Sequence, residues 1–144
     1  MKTKFFLAVL AASVLAFFGG WLIFGIIFNE YYSSNTNQAA KLLMKSPTNM
    51  WAVAVSNIAW ALLITWVLQK TGSTNMMKGF RTSIWVSFLV ALVFNLSMYA
   101  FWNIYELPFL LVDSVISSIF WGIVGSISGA ILGSGQKVMV KVTS

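Results

Sequence analysis

Apolar residues in this chain gather into four long runs, and the polar and charged residues fall in the joints between them. The first run extends from Phe5 to Phe28 and follows Lys2 and Lys4. The second extends from Met50 to Leu68, the third from Ser83 to Trp102, and the fourth from Pro108 to about Leu132. At a rise of about 1.5 Å per residue, about 20 uncharged residues cover the ~30 Å hydrocarbon core of a bilayer, so each run predicts a membrane-crossing helix. The opening imitates a secretory signal, with a basic start and Val14-Leu15-Ala16 as a cleavage site. Its apolar stretch is about twice as long as a signal peptide's, which favours a retained span.

The joints carry their own signals. Asn29 to Asn49 is the one long polar connection, and within it Ala39-Ala40-Lys41-Leu42-Leu43-Met44-Lys45 has its apolar positions on one side. Lys41 and Lys45 share a helical face and can reach toward headgroups, so residues 38–45 are expected to form a short interfacial helix. Ser46-Pro47-Thr48-Asn49 is a helix-start signal, because proline suits a first turn and Ser, Thr or Asn can cap free amides. Gln69-Lys70-Thr71-Gly72-Ser73 closes the second span, and the basic joint continues through Lys78 and Arg81. Asn103 to Leu107, with Glu106, separates the third span from the fourth. Gly133-Ser134-Gly135 ends the last helix. It is not a phosphate loop, since no strand precedes it and no P-loop Lys-Ser or Lys-Thr follows.

Composition strengthens the membrane reading. Of 144 residues, 59% are hydrophobic and only 8% charged, too few charges to cover the outside of a soluble domain of this length. The net charge of +6 comes from basic residues in the joints. That placement suits anionic lipid headgroups, whereas a nucleic-acid surface needs basic and aromatic side chains together on a wet face. The chain has no cysteine and no histidine. Without imidazole or thiol, a conventional haem, zinc or copper site is disfavoured, as is a general base titrating near neutrality, so no cofactor, metal or enzymatic activity is expected. Met44 with Met50, and the pair Met76-Met77, lack the His or Cys that would make them copper ligands.

Lysine and arginine also set a direction. The N-terminal flank, the Lys70 to Arg81 joint and the tail with Lys137 and Lys141 are basic; the other joints hold Lys41 and Lys45 in a longer stretch and Glu106 alone. The positive-inside rule therefore predicts an all-α, integral membrane four-helix bundle with both ends in the cytoplasm, as a single domain over residues 1–144. Tyr31, Tyr32, Trp51, Trp66, Trp85, Tyr99, Trp102 and Tyr105 fall near the span ends, where aromatic anchors belong. Trp21, Trp60 and Trp121 sit deeper and are expected to pack.

Helices in lipid approach closely only where side chains are small. Gly125, Gly129 and Gly133 recur at helical spacing in the fourth span, and Ala8, Ala12, Ala16 and Gly20 do so in the first. The simplest expectation is that these two stripes meet each other or their counterparts in another copy.

One polar constellation stands out. Asn57 counted from Met50, Asn95 counted back from Trp102, and Asp113 counted from Pro108 all come to roughly 10 Å below the outer interface. Gly19, Gly20 and Trp21 reach about the same level, where the glycines leave room for a polar cavity. A carboxylate inside a span must be paired, hydrated or protonated, and such acids often mark ion or proton paths. Two readings follow. Asp113, with Asn57, Asn95, Ser114 and Ser117, binds a cation, a proton or a polar solute. Alternatively, Asp113 lies near the positive end of a helix opened by Pro108 and joins its neighbours through hydrogen bonds. Glu106 reads as a solvated joint residue.

The run Phe18-Gly19-Gly20-Trp21-Leu22-Ile23-Phe24-Gly25 followed by an aromatic-bearing polar joint, together with Leu110-Leu111-Val112-Asp113 through Gly129-Ala130-Ile131-Leu132-Gly133, resembles a bacterial family of small membrane proteins known only as domain of unknown function 1761. The resemblance covers most of the chain. It implies a four-helix protein of the bacterial inner membrane and carries no activity with it. The functional expectation is a non-enzymatic packing or accessory subunit of a homo-oligomer or larger membrane assembly, with the lipid bilayer and other membrane proteins as partners and no nucleic acid. The alternative is a small transporter or channel using the Asp113, Asn57 and Asn95 level.

Overall fold

The computed structural model describes residues 2–134, and among these the regular structure is helical. Helix α1 (Lys2–Leu22) runs into a π-helical turn (Ile23–Ile27). Two short helices follow, α2 (Asn29–Asn35) and α3 (Gln38–Leu43), and then three long ones: α4 (Met50–Lys70), α5 (Met76–Phe101) and α6 (Leu107–Gly133). The four long helices, with α1 counted through its π turn, are long and apolar enough to cross a membrane. Gly135 and the tail with Lys137 and Lys141 lie outside the described residues.

Local chemistry explains most helix ends. The side-chain oxygen of Asn75 accepts from the Lys78 amide at 2.8 Å, which starts α5 at Met76 rather than at Ser83. Lys78 and Arg81 thus lie on the first turns of the helix and not in a loop. Asn37 caps α3 in the same way, accepting from the Ala39 amide at 2.9 Å. At α4 the start signal holds, with Met50 as first residue, but Asn49 sits at the cap without a side-chain bond. Pro108 occupies the first turn of α6.

Helix α6 is the centre of the bundle. It lies along α5 on one side and α1 on the other; α1 in turn packs on α4, whereas α4 and α5 scarcely touch. The α5–α6 seam is made of small residues: Gly79, Ser83 and Ser87 are buried on α5, and Gly122, Gly125 and Gly129 on α6. The backbones come so close that a methyl group added at Gly79 would strike the Gly125 carbonyl oxygen, and one added at Gly129 would meet the Asn75 carbonyl oxygen at 2.6 Å. The glycine stripe of α6 therefore meets α5 and the joint before it, not the alanine stripe of α1. Ala8, Ala12 and Ala16 instead pack in a core with Ala61, Ile64 and Leu68 of α4 and Phe120, Val124 and Leu132 of α6. The sequence shows which faces are small but not which small face each one meets.

One end of the bundle holds the start of α1, the α4–α5 joint and the end of α6, where the Lys4 ammonium donates to the Ser134 carbonyl. A cation at a helix C-terminus is favourably placed in the helix dipole. At the opposite end the two connections pair: Thr36 and Tyr105 form an antiparallel bridge, and the Asn37 amide donates to the Ile104 carbonyl at 2.9 Å.

Candidate functional site

At that second end, helix α2 folds back over the bundle. The π turn closes with the Phe28 amide donating to the Ile23 carbonyl at 2.8 Å, and α2 starts at Asn29. Its two tyrosines then lie on the start of α6. Tyr31 and Tyr32 pack against Phe109 with ring centroids 5.4 and 5.0 Å apart, and Tyr105 stacks on the same ring at 4.8 Å. Tyr32 also meets Phe24 of the π turn edge to face, and Phe24 meets Phe120 in the same manner. These contacts aim the Tyr32 hydroxyl at Asp113.

Asp113 is held on both oxygens. Its Oδ1 accepts from the Tyr32 hydroxyl, and its Oδ2 accepts from the Asn95 amide at 2.7 Å. The same Asn95 amide nitrogen also donates to the Leu110 carbonyl and to Ser114 Oγ, each at 3.0 Å, and Ser114 in turn donates to Leu110 at 2.9 Å. Asn95 and Ser114 are buried, and Asp113 is half-buried. Three elements, α2, α5 and α6, are thus joined through one carboxylate. No ammonium or guanidinium pairs with it among the described residues.

Burial pushes the Tyr32 phenol above its ordinary value of 10.0, and the hydrogen bond to Asp113 and then its negative charge push in the same direction. The phenol is therefore held protonated, as the donor of the pair.

The polar level foreseen in the sequence is divided. Asp113, Asn95 and Ser117 line a cavity of ≈ 430 Å³ between α4, α5 and α6. Asn57 faces a second cavity of ≈ 650 Å³, between α1, α4 and α6, together with Ser56, Gly20, Trp21 and Gly25. The Asn57 side chain makes no hydrogen bond among the described residues and does not join Asp113. Between the cavities stand Trp60 and Trp121, stacked at 5.2 Å and lining both. These two indoles pack as expected, whereas Trp21 is 57% exposed.

Counting residues places Asn95 and Asp113 at one level of the bundle, and there they meet. It says nothing about azimuth, and Asn57 looks the other way. Tyr32 was missed because an aromatic beside a span end reads as an interface anchor. The available signal was the need of a carboxylate inside a long apolar run for donors, with two hydroxyl-bearing rings on the adjoining polar segment.

Chemically, the site offers a carboxylate fixed by two neutral donors beside an aromatic-walled cavity. Among the described residues no group of three His, Cys, Asp or Glu side chains comes together to hold a metal ion. Comparison with protein-family models, with curated proteins and with solved structures finds no match to this chain.

Proposed function

We propose that this protein is a non-enzymatic, multi-pass protein of the bacterial inner membrane that serves as a packing or accessory subunit of a homo-oligomer or larger membrane assembly. The observation that carries the reading is the capture of both Asp113 oxygens by Tyr32 and Asn95, which uses the one acid inside a long apolar run to bind the helices together. Its large apolar residues also face outward. Trp85, Leu89 and Val93 of α5 are all more than half exposed, a surface for lipid or for another membrane protein. The orientation proposed has both ends in the cytoplasm. Lys2, Lys4, Lys70, Lys78 and Arg81 all belong to the end of the bundle that holds the start of α1, while Lys41, Lys45, Glu30 and Glu106 belong to the other, a balance of charge in line with the positive-inside rule. Membership of the family that the first and fourth spans resemble belongs to the same proposal.

Purification in mild detergent followed by native mass spectrometry tests it. A second copy or a membrane partner is expected to travel with the chain, and a bare monomer throughout would count against the reading. The transport alternative is favoured by a different observation, that Asp113, Asn95 and Ser117 line a cavity. It predicts cation or solute flux in proteoliposomes that disappears in Asp113→Asn, and flux equal in both forms would remove it.

A further inference from the structure

The cavity beside Asp113 has the chemistry of a recognition site, quite apart from the bonds that Tyr32 and Asn95 make to the carboxylate. Its walls are mostly apolar and aromatic, with Trp60 and Leu63 from α4, Phe94 from α5 and Trp121 from α6. Its polar groups are Asp113, Asn95, Ser117 and Ser87. Ser87 is 1% exposed, and its Oγ has no hydrogen-bond partner.

We infer that this cavity binds an amphiphilic organic ammonium group, with its charge at Asp113 and its apolar body between the aromatic walls of α4, α5 and α6. Each Asp113 oxygen gives one lone pair to Tyr32 or Asn95 and keeps another free, and neither donor brings a positive charge. An N–H of the ligand adds the missing charge and a charge-assisted hydrogen bond. Indole and phenyl faces attract a cation where alkyl walls would not.

Competing ligands fit less well. A divalent metal ion needs several hard oxygen donors or its own water shell, and only one carboxylate is present. A proton alone needs no cavity, whereas ≈ 430 Å³ lies within the usual range of small-molecule sites. Access follows from the packing. The cavity is not enclosed, and α4 and α5, which supply two of its walls, scarcely touch, so entry of an amphiphilic amine between those two helices belongs to the same inference. The ammonium can belong to a free amine or to the headgroup of an amine-bearing lipid.

The test uses the full chain in nanodiscs of phosphatidylcholine, which has no N–H, with 4-phenylbutylammonium as probe and 4-phenylbutanol as its neutral counterpart, both followed by titration calorimetry. Saturable binding of the ammonium and none of the alcohol is expected. Asp113→Asn is expected to weaken binding about tenfold or more through loss of the charged acceptor. Ala91→Phe, which fills the cavity and leaves the carboxylate in place, is expected to abolish binding, so the result does not hang on the folding of the Asp113 variant. Asn57→Ala, on the far side of the indole pair, is expected to bind as the parent does. Repeating the titration in discs containing phosphatidylethanolamine identifies the source: competition points to the lipid headgroup, undiminished binding to a free amine. Equal binding of ammonium and alcohol, or parent-like affinity in Ala91→Phe or in a folded Asp113→Asn, would overturn the inference.

Discussion

The hydroxyl of Tyr32, on a helix of seven residues outside the long apolar runs, donates to the carboxylate of Asp113 inside the last of them. The pair joins two parts of the chain separated by 81 positions and fixes how the surface segment sits on the bundle. Tyr32→Phe keeps the ring contacts with Phe24 and Phe109 and removes only the donor. It is expected to lower stability by about 1–2 kcal/mol, in the range of hydrogen bonds to charged groups moderated by a membrane setting. Unfolding in mixed micelles measures this, and an unchanged midpoint would show that the hydroxyl contributes nothing.

The same pair predicts a pH dependence. The folded pKa of Tyr32 lies above its ordinary value, so the folded state holds the phenolic proton more tightly than the unfolded chain. The associated stability is complete below the ordinary value of 10.0 and is lost as pH rises from there toward the folded pKa. The parent is therefore expected to lose stability more steeply than Tyr32→Phe above about pH 10, with parallel behaviour between about pH 6 and 9, where the phenol stays protonated in both states. Parallel curves at high pH as well would dismiss the coupling.

Asn95→Ala removes the donor to Asp113 Oδ2 and to the Leu110 carbonyl together. A cost of about 1–3 kcal/mol is expected, because Asp113 Oδ2 loses its donor while the Leu110 carbonyl keeps that of Ser114. In the Asn95, Tyr32 double variant the costs should be less than additive, since both donors serve one carboxylate. Strict additivity would mean that the two bonds act separately.

Close approach of α5 and α6 makes a fourth test. Gly125→Ala places a methyl group on the Ser83 side chain, and Gly79→Ala places one on the Gly125 carbonyl. Each is expected to destabilise by about 1–3 kcal/mol through forced separation of the helices. At Gly20 the nearest atom to such a methyl is Phe120 Cζ at 3.9 Å, an ordinary contact, so Gly20→Ala is expected to be neutral or to stabilise by up to about 1 kcal/mol, the advantage of Ala over Gly within a helix. Thermal melts of the three variants compare them directly, and a loss at Gly20 equal to that at Gly125 would contradict the seam described.

The stacked indoles Trp60 and Trp121 supply a fifth. A double-variant cycle to leucine is expected to give a coupling of about 0.5–1.5 kcal/mol, as for aromatic pairs elsewhere. A coupling near zero would mean that the rings merely lie side by side.

The sequence carried some of these relations and hid others for physical reasons. Length and hydropathy are one-dimensional, and they located the four long helices and the shared depth of Asn95 and Asp113. The direction a residue faces needs an amphipathic pattern, and helices that are apolar all round offer little of one. Hence Asn57 was grouped with Asp113 although the indole pair stands between their cavities, and the glycines of α6 were matched to α1 instead of α5. Lys78 and Arg81 look like loop residues until the Asn75 cap is seen. Helix α2 is short and polar, so neither periodicity nor hydropathy marks it, and with it went the donor that Asp113 needs.

The alanines of α1 share their core with Phe120, Val124 and Leu132, near the other terminus of the described chain. During synthesis the first helix therefore emerges, and can meet α4, well before α6, its second packing partner, exists. Contacts between such distant positions close slowly, and unsatisfied surfaces are open to other chains until they do. Chains halted before α6 are accordingly expected to leave Ala8, Ala12 and Ala16 uncovered on that side, the moment at which quality-control proteases or a partner subunit would find them.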